Sequence, residues 1–178
     1  MNLDLTQALL NSCKHHERTP ARYSVSDLYG IVNGYLTPQT WLYGRPVKLH
    51  EAFRMWQGRG KHRQVQELLT DWQIEVKKEY LFEELTLVGV VDAINEDCIL
   101  EIKTSESVMA KAKEWHKYQA RIYCSMFERP LAHVMQPVIK GQRLYLKNLG
   151  SVERDDEFFK EQLQLLNKFH KKLCLGKK

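Results

Sequence analysis

Long apolar runs are missing from this sequence, and so is any crowding of cysteine, proline or glycine. No stretch approaches the ~18 apolar residues that a membrane-spanning helix needs, so no membrane association is expected. The first eighteen residues mix Asp4, Lys14, His15 and Glu17 with short apolar runs, which is unlike a secretory signal. The four cysteines, Cys13, Cys98, Cys124 and Cys174, are scattered, and none lies within four residues of another. That spacing builds no zinc knuckle. Free thiols in a reducing cytoplasm are the expectation. There are only five prolines and nine glycines, with no repeat, linker or low-complexity tract. What remains is one domain over residues 1–178, long enough to bury roughly 70% of its unfolded surface. Lysine and arginine number 27 against 22 acidic residues, a formal charge of +5. A polyanionic partner is compatible with that balance, as it is with many proteins that bind none.

The chain falls into two parts, a helical segment over 1–56 and a core over 57–178. Ser24-Val25-Ser26-Asp27 reads as a capping box with Ser24 at the N-cap, and Gly34 and Pro38 read as the stop of the helix that follows. A long helical pattern covers about 48–72, open to interruption at Gly58-Arg59-Gly60, with His62, Val65, Leu68, Leu69 and Trp72 at helical spacing. The period then changes. Residues 74–82, 85–94 and 98–104 are short and rich in β-branched and aromatic residues, with turn chemistry at Asn95-Glu96-Asp97. A helix over about 107–127 stops before Pro130. Strands over 131–139 and 143–149 and a helix over 155–173 complete the pattern. This order predicts an α/β domain, a mixed sheet flanked by helices.

Asp92 stands in a strand otherwise made of Leu85, Leu87, Val88, Val90, Val91 and Ile94. Glu101 and Lys103 stand in Ile99-Leu100-Glu101-Ile102-Lys103. Charges within apolar strands cost free energy unless paired or metal-bound. If the turn centres on residues 96 and 97, Asp92 faces Glu101, with Cβ atoms about 5 Å apart, and Lys103 shares their face. Two carboxylates so close repel, and a hard divalent cation such as Mg²⁺ or Mn²⁺ relieves the repulsion. A surface ion cluster in which Lys103 neutralises both acids fits these three residues equally well.

Gly89-Val90-Val91-Asp92 followed by Glu101-Ile102-Lys103 resembles the G-x-x-D and E-x-K elements of the PD-(D/E)xK nucleases. Gly58-Arg59-Gly60-Lys61-His62 resembles the G-x-x-x-H of the RecB-like branch, and Gln119-Ala120-Arg121-Ile122-Tyr123 resembles its Q-x-x-x-Y. Ser24-Val25-Ser26-Asp27-Leu28 resembles the S-x-S-x-L that precedes them. The pieces stand in family order from about Ser24 to Phe127, most like the RecB-like exonucleases associated with CRISPR adaptation. The resemblance implies a restriction-endonuclease-like fold. It also implies metal-dependent hydrolysis of DNA phosphodiesters, as an exonuclease preferring single strands, with DNA and other DNA-processing or CRISPR-adaptation proteins as partners. Asp92, Glu101 and Lys103 would be catalytic. His62, Asp92, Glu101 and the Ile102 carbonyl would hold Mg²⁺ or Mn²⁺. Gln119 and Tyr123 would bind substrate. The iron–sulfur cysteines of those CRISPR-associated relatives are not matched: residues 29–36 hold no cysteine, the tail holds only Cys174, and Cys13 lies upstream. No cluster is expected, and Cys98 and Cys124 read as small core residues.

Each role has an ordinary counterpart. His62 fits a helix cap or a core histidine, and Tyr123 a core aromatic with Gln119 beside it at i and i+4. Glu79 is a weak choice for an outer-shell acid, and Glu83 and Glu84 read as solvated turn residues. Lys61, Arg63, Lys111, Lys113, Lys117 and Arg121 fit phosphate contacts or solvated helix faces. Tyr23, Tyr29, Tyr35, Trp41 and Tyr43 fit base stacking or, more ordinarily, packing. Lys168, His170, Lys171, Lys172, Lys177 and Lys178 make a basic tail. Two other functions remain open on the sequence: a non-catalytic nucleic-acid-binding or assembly subunit, and an RNA or structure-specific endonuclease.

Overall fold

The apolar alternation of residues 85–94 and the turn chemistry after it dictate a hairpin. The computed structural model describes residues 5–12, 18–44 and 47–175. In it the hairpin is β3 (Leu85–Ile94) and β4 (Cys98–Ile102), preceded by β2 (Gln73–Phe82). Asn95 Oδ1 shapes the turn by accepting the backbone N–H of Asp97 at 3.0 Å and of Cys98 at 2.8 Å. The register pairs Ile94 with Ile99 and Ala93 with Leu100. The pairing ends there, and Asp92 and Glu101 are the next residues outward on the two strands.

β1 (Arg22–Ser24), β5 (Leu131–Lys140) and β6 (Arg143–Glu153) extend the sheet to six strands. The order is β1-β3-β4-β5-β6, with β2 on the other edge of β3. β1 runs parallel to β3 and β4 parallel to β5; the remaining pairings are antiparallel. β3 therefore has three partners. β2 follows it from Leu85 to Ile94, while β1 meets it at Thr86–Val88 and β4 at Ala93–Ile94. A strand has two edges, so β1 and β4 share one, and the sheet forks along residues 89–92 between them.

The helices are α1 (Thr6–Ser12), α2 (Val25–Val32), α3 (Pro38–Tyr43), α4 (Leu49–Gln66), α5 (Glu114–Phe127) and α6 (Asp156–Leu175). The buried core gathers Tyr23, Leu28 and Trp41 from the first part with Ile122, Met126, Leu163 and Leu166 from α5 and α6. The mixed sheet flanked by helices, with helices at the amino-terminal side, is the restriction-endonuclease-like architecture expected from the sequence.

Several boundaries differ from the sequence pattern, each for a local reason. Ser24 caps α2 as expected, its Oγ accepting the Asp27 N–H at 3.3 Å, yet residues 22–24 also form a strand. α2 does end before Gly34, whose φ of 74° suits glycine. Pro38 opens α3 and does not close α2, because a proline is well placed in a first turn, and Thr37 caps it through the Thr40 N–H at 3.2 Å. α4 runs through Gly58 and Gly60 without a break but stops at Gln66, leaving Leu68 64% exposed. α5 begins at Glu114, later than the expected 107. Buried Gln136 holds the segment before it, accepting the Met109 N–H and donating to the Ser107 carbonyl, both at 2.8 Å. That side chain supplies partners a helix would otherwise provide.

Candidate active site

Four elements converge at the fork. α4 brings His62, β3 brings Asp92, β4 and the residue after it bring Glu101 and Lys103, and α5 brings Gln119 and Tyr123. The glycine of the G-x-x-D element explains how α5 comes so close. A Cβ on Gly89 would lie 2.8 Å from Met126 Sδ and 3.1 Å from Tyr123 Cε1. At that level β1 has ended and β4 has not begun, so the backbone needs other partners. The Tyr123 phenol oxygen takes a hydrogen bond from the Val90 backbone. The Asp92 carboxylate takes the Ile102 N–H through Oδ2 at 2.6 Å.

Asp92 is also gripped from α4. Gln66 donates to its backbone carbonyl at 3.0 Å. His62 Nε2 approaches its Oδ2 to 3.1 Å, near enough for charge attraction. Contact with the Asp92 carboxylate raises the His62 pKa, and burial opposes that rise. Across the fork, Lys103 Nζ donates to Glu101 Oε1 at 2.5 Å and to Gln119 Oε1 at 3.0 Å. Gln119 in turn donates from Nε2 to the Tyr123 oxygen at 3.0 Å, which fixes the amide's orientation. The Lys103 ammonium also lies 5.2 Å from the centre of the Trp115 ring, a cation–π approach.

Glu101 is 2% exposed. Burial first, and then the charge of Asp92, hold its carboxyl well above the ordinary range, against the pull of Lys103 and His62. Burial likewise raises the Tyr123 phenol and keeps it neutral. Two buried polar atoms here have no hydrogen-bond partner, Glu101 Oε2 and His62 Nε2. Among the described residues no three His, Cys, Asp or Glu side chains draw together tightly enough to ligate one ion as they stand. The nearest donors are nonetheless oxygens and an imidazole, hard to borderline ligands of the kind Mg²⁺ and Mn²⁺ accept. Ile102 is 3% exposed beside them.

The structure thus brings together His62, Asp92, Glu101, Ile102, Lys103, Gln119 and Tyr123. Glu79 lies apart, tied to Arg22 and Lys77. Glu75 lines a groove of about 600 Å³ with His62, Gln66 and Trp56, and its φ of 52° is unusual for a glutamate. Neither Glu75 nor Gln66 stands out in the sequence, since each reads as a solvated polar residue. Of the aromatic residues, Tyr23 and Trp41 pack 4.6 Å apart in the core, while Tyr35 and Tyr43 are exposed. Arg121 lies over the Phe158 ring and Lys117 pairs with Glu114, whereas Lys61 and Arg63 point to solvent beside His62. Within the tail, His170 is buried and bonded to the Tyr23 hydroxyl at 2.8 Å. Lys177 and Lys178 lie outside the described residues, as does Cys13. Cys98 and Cys124 are buried as free thiols, and Cys174 is exposed. No helix among the described residues is long and apolar enough to cross a membrane.

No family model matches the chain, and no curated protein is similar to it in sequence. Solved structures are similar in fold. LHK-Exo, an alkaline exonuclease from Laribacter hongkongensis solved in complex with dAMP, superposes with a TM-score of 0.61 at 12% identity. The match covers 96% of this chain and 94% of that one. A phage-related exonuclease from Haemophilus somnus gives 0.54 at 12% identity, covering 94% and 99%. The protein designated SSO0001 gives 0.60 at 20% identity, covering 93% and 83%. Along nearly its whole length, this chain has the fold of these proteins.

Proposed function

We propose that this protein is a divalent-metal-dependent nuclease that hydrolyses DNA phosphodiesters, with Asp92, Glu101 and Lys103 as its catalytic set. The observation that carries the reading is the fork itself. It gathers one imidazole, two carboxylates and one ammonium, pairs His62 Nε2 with Asp92 at 3.1 Å, and leaves Glu101 Oε2 buried with no hydrogen-bond partner. Such an oxygen is costly without a counterpart, and a cation held between the two acids would supply one. The exonuclease fold, with one of its holders seen bound to dAMP, supports DNA as the substrate and exonuclease action.

Asp92, Glu101, His62 and the Ile102 carbonyl would hold Mg²⁺ or Mn²⁺. When bound, the cation supplies Lewis-acid polarisation of the scissile phosphate and a lower pKa for attacking water. The chain's own residues do the rest. Lys103 presents its ammonium to the phosphate, orients the water and stabilises charge growing on the phosphate oxygens. Glu101 and Gln119 hold that ammonium in place, and Tyr123 holds Gln119 from behind. Asp92 is fixed through Ile102 and Gln66, so the two acids enter the reaction already oriented.

Digestion of end-labelled single-stranded DNA, duplex DNA and RNA, in Mg²⁺, in Mn²⁺ and in chelator, tests this reading. DNA should be degraded from an end only when metal is present. A pure protein that binds DNA equally well in chelator and degrades nothing would be a binding subunit that kept the fold. Cleavage of RNA alone would reassign the substrate.

A further inference from the structure

α4, against which α1 packs, carries a stripe that stays exposed among the described residues. Leu49, Phe53, Trp56 and Gly60 follow one another at helical spacing of four, three and four residues. Phe53 and Trp56 are 47% and 57% exposed, and their rings stack 5.8 Å apart at 29°. Large apolar rings turned to water lose the free energy their burial would give. Gly60 adds a second cost. Glycine inside a helix destabilises it by about 1 kcal/mol relative to alanine. A Cβ at Gly60 would meet nothing within 4 Å, so no packing within the protein demands glycine there. Gly58, on the neighbouring face, does approach Thr104. Gly60, one turn on from Trp56, lines the same groove without a side chain and leaves room there for close approach by something from outside.

Two features narrow what that is. Trp56 lines the same groove of about 600 Å³ as His62 and Gln66, the two α4 residues that contact Asp92, so whatever lies on the ring borders the fork. That groove is also cationic, lined by Arg59, Lys61 and Arg63 against the single acid Glu75. A flat apolar surface edged with cations and leading to a phosphodiester-cleaving centre fits an unpaired nucleotide strand. Its base would stack on the ring and its phosphates would run along the basic edge. A duplex covers every base face except those of its terminal pairs and can use the ring only at its ends.

We propose that Trp56, backed by Phe53 and opened by Gly60, is a stacking platform that selects single-stranded DNA for this site. The proposal rests on the nuclease reading for its substrate, but it is tested by binding alone. Affinity for a fluorescent single-stranded oligonucleotide and for a long duplex, whose two ends are a small share of its binding positions, is measured by anisotropy in chelator, for the parent, Trp56→Ala, Trp56→Phe and Gly60→Leu. Trp56→Ala should weaken single-strand binding by about 5- to 150-fold, the range for one stacked base. Trp56→Phe should restore most of it, and duplex binding should change by less than about twofold in both. Gly60→Leu should raise the melting temperature, since leucine is the better helix former, and still weaken single-strand binding. Loss of stability cannot explain that combination. Equal effects on both DNAs, or none, would overturn the platform, as would a parent that binds no single strand. A Trp56-dependent binder without Mn²⁺-dependent cleavage would retain the platform and refute the nuclease. Cleavage in Mn²⁺ with no Trp56 effect would do the reverse.

Discussion

At the scale of single residues, the site divides into groups that stood out in the sequence and groups that did not. Asp92, Glu101 and Lys103 stood out because a charge in an apolar strand is costly and must be explained. Gln66 holds the Asp92 carbonyl and Gln136 the segment before α5, yet a glutamine on a helix or strand resembles any solvated residue. The Glu101–Lys103 contact yields a direct expectation. Lys103→Ala should slow cleavage about 10²- to 10³-fold, the effect of removing one electrostatic stabiliser, while the melting curve stays near that of the parent. Cleavage that survives this change at more than about a tenth of the parent rate would remove Lys103 from the chemistry. His116 offers a test by pH. Burial first, then Lys103 and Lys113, lower its pKa from 6.5 to about 4. Its Nδ1 accepts the Lys113 N–H at 3.3 Å, a role only the unprotonated nitrogen can play. The folded chain therefore binds this proton more weakly than the unfolded chain. The stability so gained is complete above about pH 6.5 and is lost as pH falls towards 4. The melting temperature should drop across that interval, and His116→Gln should drop less. Parallel curves would show that another group governs the acid transition.

At the scale of elements, β3 and β4 were legible nearly to the residue, because β-branched apolar runs and an Asx-type turn leave local marks. The three-residue β1 left none. Its pairing with β3 spans more than sixty positions of sequence and depends on where α2 packs, so no local period encodes it. The late start of α5 had the same cause, since Gln136 that holds the preceding loop lies far along the chain. The sheet's fork was therefore illegible, although both of its acids were found. Gly89 is where that fork meets α5. Gly89→Ala forces a Cβ against Met126 and Tyr123 and should destabilise the fold by about 1–3 kcal/mol in urea unfolding, as overpacking does. Met126→Ala in the same chain should relieve part of the clash, giving a double variant more stable than the sum of the two changes. Strict additivity would mean that β3 and α5 do not press on each other there.

At the scale of the whole molecule, composition said little and order said much. A formal charge of +5 admits many partners. The series from the capped α2 through α4, the acidic hairpin and α5 admits few folds, and the exonuclease structures are similar in fold over nearly the whole chain. If the basic edge of α4 meets phosphates, DNA affinity in chelator should fall steadily with salt, with a log–log slope near −0.7 per phosphate neutralised on single strands. A flat response would move DNA away from this face. The claim on which everything else depends is that the fork is a metal-dependent hydrolytic centre. Its most direct test is the single-turnover rate of nucleotide release from end-labelled DNA in Mn²⁺, measured side by side for the parent and Glu101→Gln. The account predicts release by the parent that stops in chelator, and a Glu101→Gln rate lower by at least about 10²-fold with the fold intact. Equal rates for the two proteins would contradict it, and would assign the activity to something other than this site.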